Sequence, residues 1–186
     1  MQKDKMLEML KEKVHNCTKC PELMASRTKI IFGQGNPNTK VFFLGESPGR
    51  TEDKEGVPFC GQAGQLLNNI IKTCGWQREE VYITNSVYCH PDNNRNPQPE
   101  ELNNCRSYLE LQLKIINPKI IVCLGNVAAQ HLLKTTEVVS KLRGSWHEYN
   151  KIKVRVTYHP AFLLRNPDKK KECWEDMKTV IKELKS

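Results

Sequence analysis

Apolar positions along this chain change their spacing in alternation. In KVFFLG (40–45), VYITN (81–85) and KIIVCLG (119–125) they are nearly continuous, the mark of β-strands buried on both faces. KVRVTY (153–158) reads as a further strand. Between these runs the apolar residues recur at three- and four-residue intervals, which is helical periodicity. Met6, Leu7, Leu10 and Val14 share one face of a helix over about residues 3 to 15. Leu66, Leu67, Ile70, Ile71 and Cys74 do the same over 62–74. A third helix, near 98–116, carries Leu102, Cys105, Leu109, Leu113 and Ile116, with Pro99 near its start and Glu100 and Glu101 in its first turn. A fourth lies near 126–134, and a C-terminal helix bearing Trp174, Met177, Ile181 and Leu184 follows His159-Pro160. TKIIFGQGNPNTK reads as a short strand and turn, and RGSWHEYNKIKVRV predicts a hairpin ahead of the last strand. Strands alternating with helices predict an α/β fold: a parallel sheet covered on both faces, forming one α/β/α domain over residues 1–186.

In such sheets the ligand crevice lies beyond the carboxyl ends of the strands. The residues that follow each strand are Gly45-Glu46-Ser47-Pro48-Gly49, then Asn85, then Gly125-Asn126, then His159-Pro160. Glycine and polar residues thus gather at one end of an otherwise apolar sheet, and a pocket is predicted there. GQGNPN does not fit the dinucleotide fingerprint, and neither a Walker-type phosphate loop nor a nucleophile elbow is present.

The net charge of +8 fits either a solvated surface or a polyanionic partner such as nucleic acid. No apolar run is long enough to span a bilayer, and the charged N-terminus MQKDKMLEMLKEKVHN lacks a signal core, so a cytoplasmic protein is expected. A reducing compartment disfavours disulfides among the eight cysteines. Cys74, Cys123 and Cys173 read as small core residues, and Cys60 is left unassigned. Cys17 and Cys20 form a Cys-x-x-Cys, while Cys89 follows a strand end and Cys105 sits early in the next helix. Four converging thiolates suffice for a tetrahedral zinc or a [4Fe–4S] cluster, and their spacing does not choose between the two. A redox role for Cys-x-x-Cys is the weaker rival, because no thioredoxin-like unit surrounds it.

Four longer segments sharpen the picture: GESPGRTEDKEGVPFCGQAGQLL, VYITNSVYCHPDNNRNPQPEE, IIVCLGNVAA and YHPAFLLRNP. With these the chain, from Cys17 to the C-terminal helix, resembles the type-4 uracil-DNA glycosylases of bacteria and archaea. The resemblance implies a three-layer α/β/α sandwich about a central four-stranded parallel sheet. It implies hydrolysis of the N-glycosidic bond of deoxyuridine in DNA, single- or double-stranded, by a monomer. It assigns Cys17, Cys20, Cys89 and Cys105 to a structural [4Fe–4S] cluster. Uracil would meet the Gly45-Glu46-Ser47 turn, stack on Phe59, pair with Asn85 and lie near His159. His159, at the O2 edge, would stabilise the departing anion. Ser47 stands where the best-known uracil glycosylases carry an aspartate, so a water-positioning carboxylate is sought at Glu46, Glu52 or Asp53, with Glu46 foremost. Leu163 and Leu164 are the candidates for a wedge into DNA, and Arg165 for a phosphate contact. Two other readings stand beside this one: a non-catalytic module for uracil-containing or single-stranded DNA, and a zinc-stabilised nucleic-acid-binding protein.

Overall fold

The computed structural model describes residues 2–186. In chain order it comprises α1 (Gln2–His15), α2 (Pro21–Ser26), β1 (Gln34–Gly35), β2 (Val41–Gly45), α3 (Arg50–Glu55), α4 (Gln62–Thr73), β3 (Tyr82–Asn85), α5 (Pro99–Ile116) and β4 (Ile120–Leu124). There follow α6 (Asn126–Leu133), α7 (Val139–Leu142), β5 (His147–Tyr149), β6 (Ile152–Thr157), α8 (Pro160–Arg165) and α9 (Lys170–Lys185).

The strands form one sheet in the order β1-β3-β2-β4-β6-β5. The four inner strands are the four expected from the apolar runs, and they pair in parallel. The sheet is wider than four because β1 and β5 add antiparallel edges, β5 through the hairpin expected before the last strand. Every residue of β2 and β4 is buried. That requires helices on both faces and explains why these strands are continuously apolar rather than alternating. Among the described residues no helix is long and apolar enough to cross a membrane.

The helix ends follow local chemistry. Pro99 opens α5 without losing an intrahelical bond, and Gln98 and Glu101 bond reciprocally across its first turn. Three short helices, α2, α3 and α7, fall in segments to which the apolar spacing assigns no helix. The expected C-terminal helix after His159-Pro160 is two helices. Pro167 has no N–H to donate and disfavours helical backbone at Asn166, which sits at φ −130°, ψ 71°. The chain therefore turns between α8 and α9.

Register sets the upper edge of the sheet. Gly45 pairs with Asn85, and Leu124 with Thr157, so the four parallel strands end together. The edge is fastened beyond the ladder: Ser86 donates to the Gly45 carbonyl from both N–H (2.9 Å) and Oγ (2.8 Å). The Gly125 N–H reaches the Thr157 carbonyl at 2.9 Å.

Candidate active site and cysteine quartet

A cleft of about 380 Å³ opens above this edge. Its lining includes Glu46, Ser47, Phe59, Asn85, His159 and Arg165, six of the residues singled out from sequence. Asn85 ends β3 with its side chain buried, and among the described residues its Oδ1 has no hydrogen-bond partner. An unpaired buried acceptor costs on the order of 1–3 kcal/mol, so the position is held against stability. Phe59 lies beside it, 5.6 Å from the His159 ring between centroids and tilted by 31°. The approach of β2 to both depends on Gly45. A methyl group there would stand 2.4 Å from Asn85 Oδ1 and 2.5 Å from Phe59 Cζ. Glycine is thus required at this strand end for close packing.

Phe59 carries strain. Its φ of +50° lies in the left-handed region, at a cost of about 1–3 kcal/mol for a residue with a β-carbon. Neighbouring groups enforce it. Glu52 Oε1 accepts from Cys60 N (3.0 Å) and Gly61 N (2.8 Å). Gly64 leaves room, since a methyl group there would fall 1.9 Å from the Phe59 carbonyl oxygen.

His159 caps α8: its Nδ1 accepts from Ala161 N at 3.0 Å. A neutral ring bonded in this way carries its proton on Nε2. Burial, helped by the Arg165 charge, pulls the imidazole down from 6.5 to about 4, so it is neutral at physiological pH. Glu46 shifts the other way, because burial raises its carboxyl above the ordinary value. Among the described residues its carboxylate takes no hydrogen bond, unlike its two rivals. Glu52 is engaged with the backbone, and Asp53 is buried and accepts from Thr28 N and Lys29 N at 2.9–3.0 Å. Asp53 is therefore a structural anchor and does not line the cleft.

The other expectations divide. Leu163 is fully buried and lines a small apolar groove with Leu66, Ile70, Cys173 and Met177, so it is core and not an exposed wedge. Leu164, one position on, is 42% exposed. Asn94 and Asn96, in the loop after β3, also line the cleft, and nothing in their local sequence had marked them. Behind the cleft lining, Arg78 was equally unmarked; it reaches the carbonyls of Pro58 and Phe59 from a turn before β3. His90 joins the cleft to the cysteine region, with its Nδ1 2.9 Å from the Pro48 carbonyl oxygen.

Cys17 and Cys20 sit between α1 and α2, Cys89 in the loop after β3, and Cys105 in α5. The four thiols feel one another electrostatically, yet no three His, Cys, Asp or Glu side chains among the described residues reach the spacing of a single-ion site. Arg27 donates from Nη1 to Cys89 Sγ (3.1 Å) and from Nη2 to the Cys17 carbonyl (3.1 Å). Asn104 donates to Cys20 Sγ at 3.4 Å. Burial pushes Cys105 up to about 12 and raises Cys20 and Cys89, so these thiols stay protonated unless a cation replaces the proton. Cys74, Cys123 and Cys173 are buried core residues, as their positions implied.

Chemically, the cleft offers an amide edge, an aromatic face and a neutral imidazole N–H within one small volume, which suits a planar hydrogen-bonding ring. A family model described as the uracil DNA glycosylase superfamily matches residues 32–178. A type-4 uracil-DNA glycosylase of Thermotoga maritima is 43% identical, over 88% of this chain and 86% of its own length. A type-4 uracil-DNA glycosylase of Archaeoglobus fulgidus is 40% identical, over 94% of this chain and 91% of its own. The type-4 enzyme of Sulfurisphaera tokodaii is 43% identical, over 94% and 83%.

Proposed function

The chain belongs to the uracil-DNA glycosylase superfamily, in its type-4 branch, and from that premise we propose how its residues release uracil. The enzyme acts on the N-glycosyl bond of deoxyuridine in DNA, the first step of repairing that lesion. One observation carries the assignment of residues: the unpartnered, buried Oδ1 of Asn85 beside Phe59 and His159.

In this reading Asn85 Oδ1 accepts from uracil N3–H while its Nδ2 donates to O4. Cytosine presents the reverse pattern and would leave both groups unpaired, at about 1–3 kcal/mol each. Phe59 stacks on the extruded base, worth on the order of 1–3 kcal/mol. The Gly45-Glu46-Ser47 turn contacts uracil mainly through its backbone. As the bond from N1 to C1′ breaks, its electron pair leaves with uracil, and the sugar becomes an oxocarbenium ion. Negative charge grows on O2, where the neutral His159 Nε2–H donates a hydrogen bond. Water adds to C1′ and passes a proton to Glu46, whose carboxyl is raised by burial and, among the described residues, takes no hydrogen bond. The abasic site remains. Leu164 fills the gap left by the flipped base and Arg165 meets phosphate, a reading supported by their exposure and by Arg165 at the cleft rim.

Cys17, Cys20, Cys89 and Cys105 hold a [4Fe–4S] cluster. The four thiols lie near enough to act on one another electrostatically, which supports their sharing one cluster. N–H donors to Cys89 and Cys20 suit thiolate ligands. The cluster supplies cross-linking and no reactive group: it fastens the segment between α1 and α2 to the loop after β3.

The test is a labelled uracil-containing oligonucleotide incubated with protein and then treated with alkali. Strand cleavage by the parent enzyme that is lost in Asn85→Ala and His159→Ala supports these roles. Full cleavage by both variants rejects them.

A further inference from the structure

The strained turn at Phe59 is held from two sides, by Glu52 and by Arg78. Arg78 lies in the turn Arg78–Glu80 that leads into β3. Its Nη2 donates to the Pro58 carbonyl, and its Nη1 to the Phe59 carbonyl (3.3 Å) and to Asn68 Oδ1 on α4 (2.8 Å). On the opposite side Glu52 takes the next two backbone N–H groups, those of Cys60 and Gly61. Two successive carbonyls and the two following N–H groups are therefore all committed to buried or half-buried side chains. Such over-determination is what keeps a residue with a β-carbon at positive φ.

We propose that Arg78 is a positioning residue for base binding: its guanidinium fork fixes the left-handed turn that aims the Phe59 ring at the extruded uracil. The inference rests on the reading of Phe59 as the stacking ring. Arg78 also stands seven residues before Asn85 in the segment that feeds β3, so one side chain ties the stacking ring and the strand that delivers the amide to α4. A lysine cannot reproduce this. It presents a single ammonium in place of a planar fork, and reaching two carbonyls and an amide oxygen at once needs the fork. Nor is Arg78 a free cation for DNA, because its N–H groups are already directed at three protein oxygens.

The experiment is a double-mutant cycle between Arg78 and Phe59, using a uracil-containing single-stranded oligonucleotide. KM, kcat and the inhibition constant of free uracil are measured for Arg78→Lys, Arg78→Gln, Phe59→Ala and the two double variants. Thermal unfolding checks that each protein is folded, and Arg78→Gln serves if Arg78→Lys does not fold. We expect Arg78→Lys to raise KM and the uracil inhibition constant about tenfold, with a smaller change in kcat. On the Phe59→Ala background the same substitution adds nothing, since the ring it aims is gone. The proposal is overturned if Arg78→Lys leaves both constants unchanged, or if its loss persists undiminished beside Phe59→Ala. It is equally overturned if only KM rises, with a shallower salt dependence and unchanged uracil inhibition, which is the behaviour of a phosphate contact. Should Phe59→Ala itself keep full activity, the stacking reading fails first and this inference with it.

Discussion

Two buried polar clusters lie near the same carboxyl-terminal edge of the sheet, at the ends of β6 and β3, and they are built to different standards. Near the end of β6, Asp176 of α9 accepts from Arg143 (3.1 and 3.2 Å), Arg155 (3.3 Å) and Thr157 (2.8 Å). The carboxylate is 1% exposed, and both its oxygens are taken. Burial still raises its carboxyl, despite two arginines beside it. In the cleft, by contrast, Asn85 Oδ1 is as deeply buried and has no partner, Phe59 is at positive φ, and His159 shows an uncommitted N–H. The first cluster completes the bonds of its carboxylate within the chain, although Arg155 Nε finds no partner among the described residues. The second leaves its bonds open for a base. The difference separates polar groups that hold the fold from polar groups that use it.

The comparison breaks most visibly at Asp176. Asp176→Ala strands the buried Arg155 guanidinium and takes one of two carboxylate partners from Arg143, so denaturant unfolding should show a loss of about 3–5 kcal/mol, with activity per folded molecule retained. His159→Ala should do the reverse, lowering kcat about 10²–10³-fold, as loss of an anion-stabilising donor does, with only the loss of about 0.5–2 kcal/mol that goes with its cap on α8. Asn85→Ala should weaken free-uracil binding by about 1–3 kcal/mol in calorimetry while costing the fold almost nothing, because it removes a buried acceptor that no protein group satisfies.

Acid should expose His159 as well. The unfolded chain protonates this imidazole near 6.5 and the folded one near 4, so the unfolded state binds more protons across that window. Stability should therefore fall as pH drops from about 6.5 to about 4, and the slope of melting temperature against pH should be shallower in His159→Gln. The smallest effect belongs to Leu164→Ala. It should leave the melting temperature unchanged and lower activity on duplex DNA more than on single strands, a ratio read from paired cleavage assays.

The elements themselves were legible wherever periodicity ran long enough. The continuous apolar runs of β2, β3 and β4 and the stripes of α1, α4 and α5 needed no tertiary information, because each is a local consequence of burial on two faces or one. Leu163 and Leu164 were not separable. Adjacent residues on a helix point roughly 100° apart, and which of them meets the core depends on how α8 docks. Glu46, Glu52 and Asp53 looked alike for the same reason. Only the fold sends Asp53 to the backbone of Thr28 and Lys29, Glu52 to Cys60 and Gly61, and leaves Glu46 unengaged.

By itself, then, the order of residues determined a parallel sheet, the end of it at which polar groups collect, and a set of four cysteines, since these follow from spacing along the chain. The tertiary structure decided which atoms are left unpaired, that Phe59 is bent to positive φ, and that Arg78 is what grips it. Those facts depend on groups far apart in the chain meeting within a few ångströms, and no local pattern encodes such a meeting.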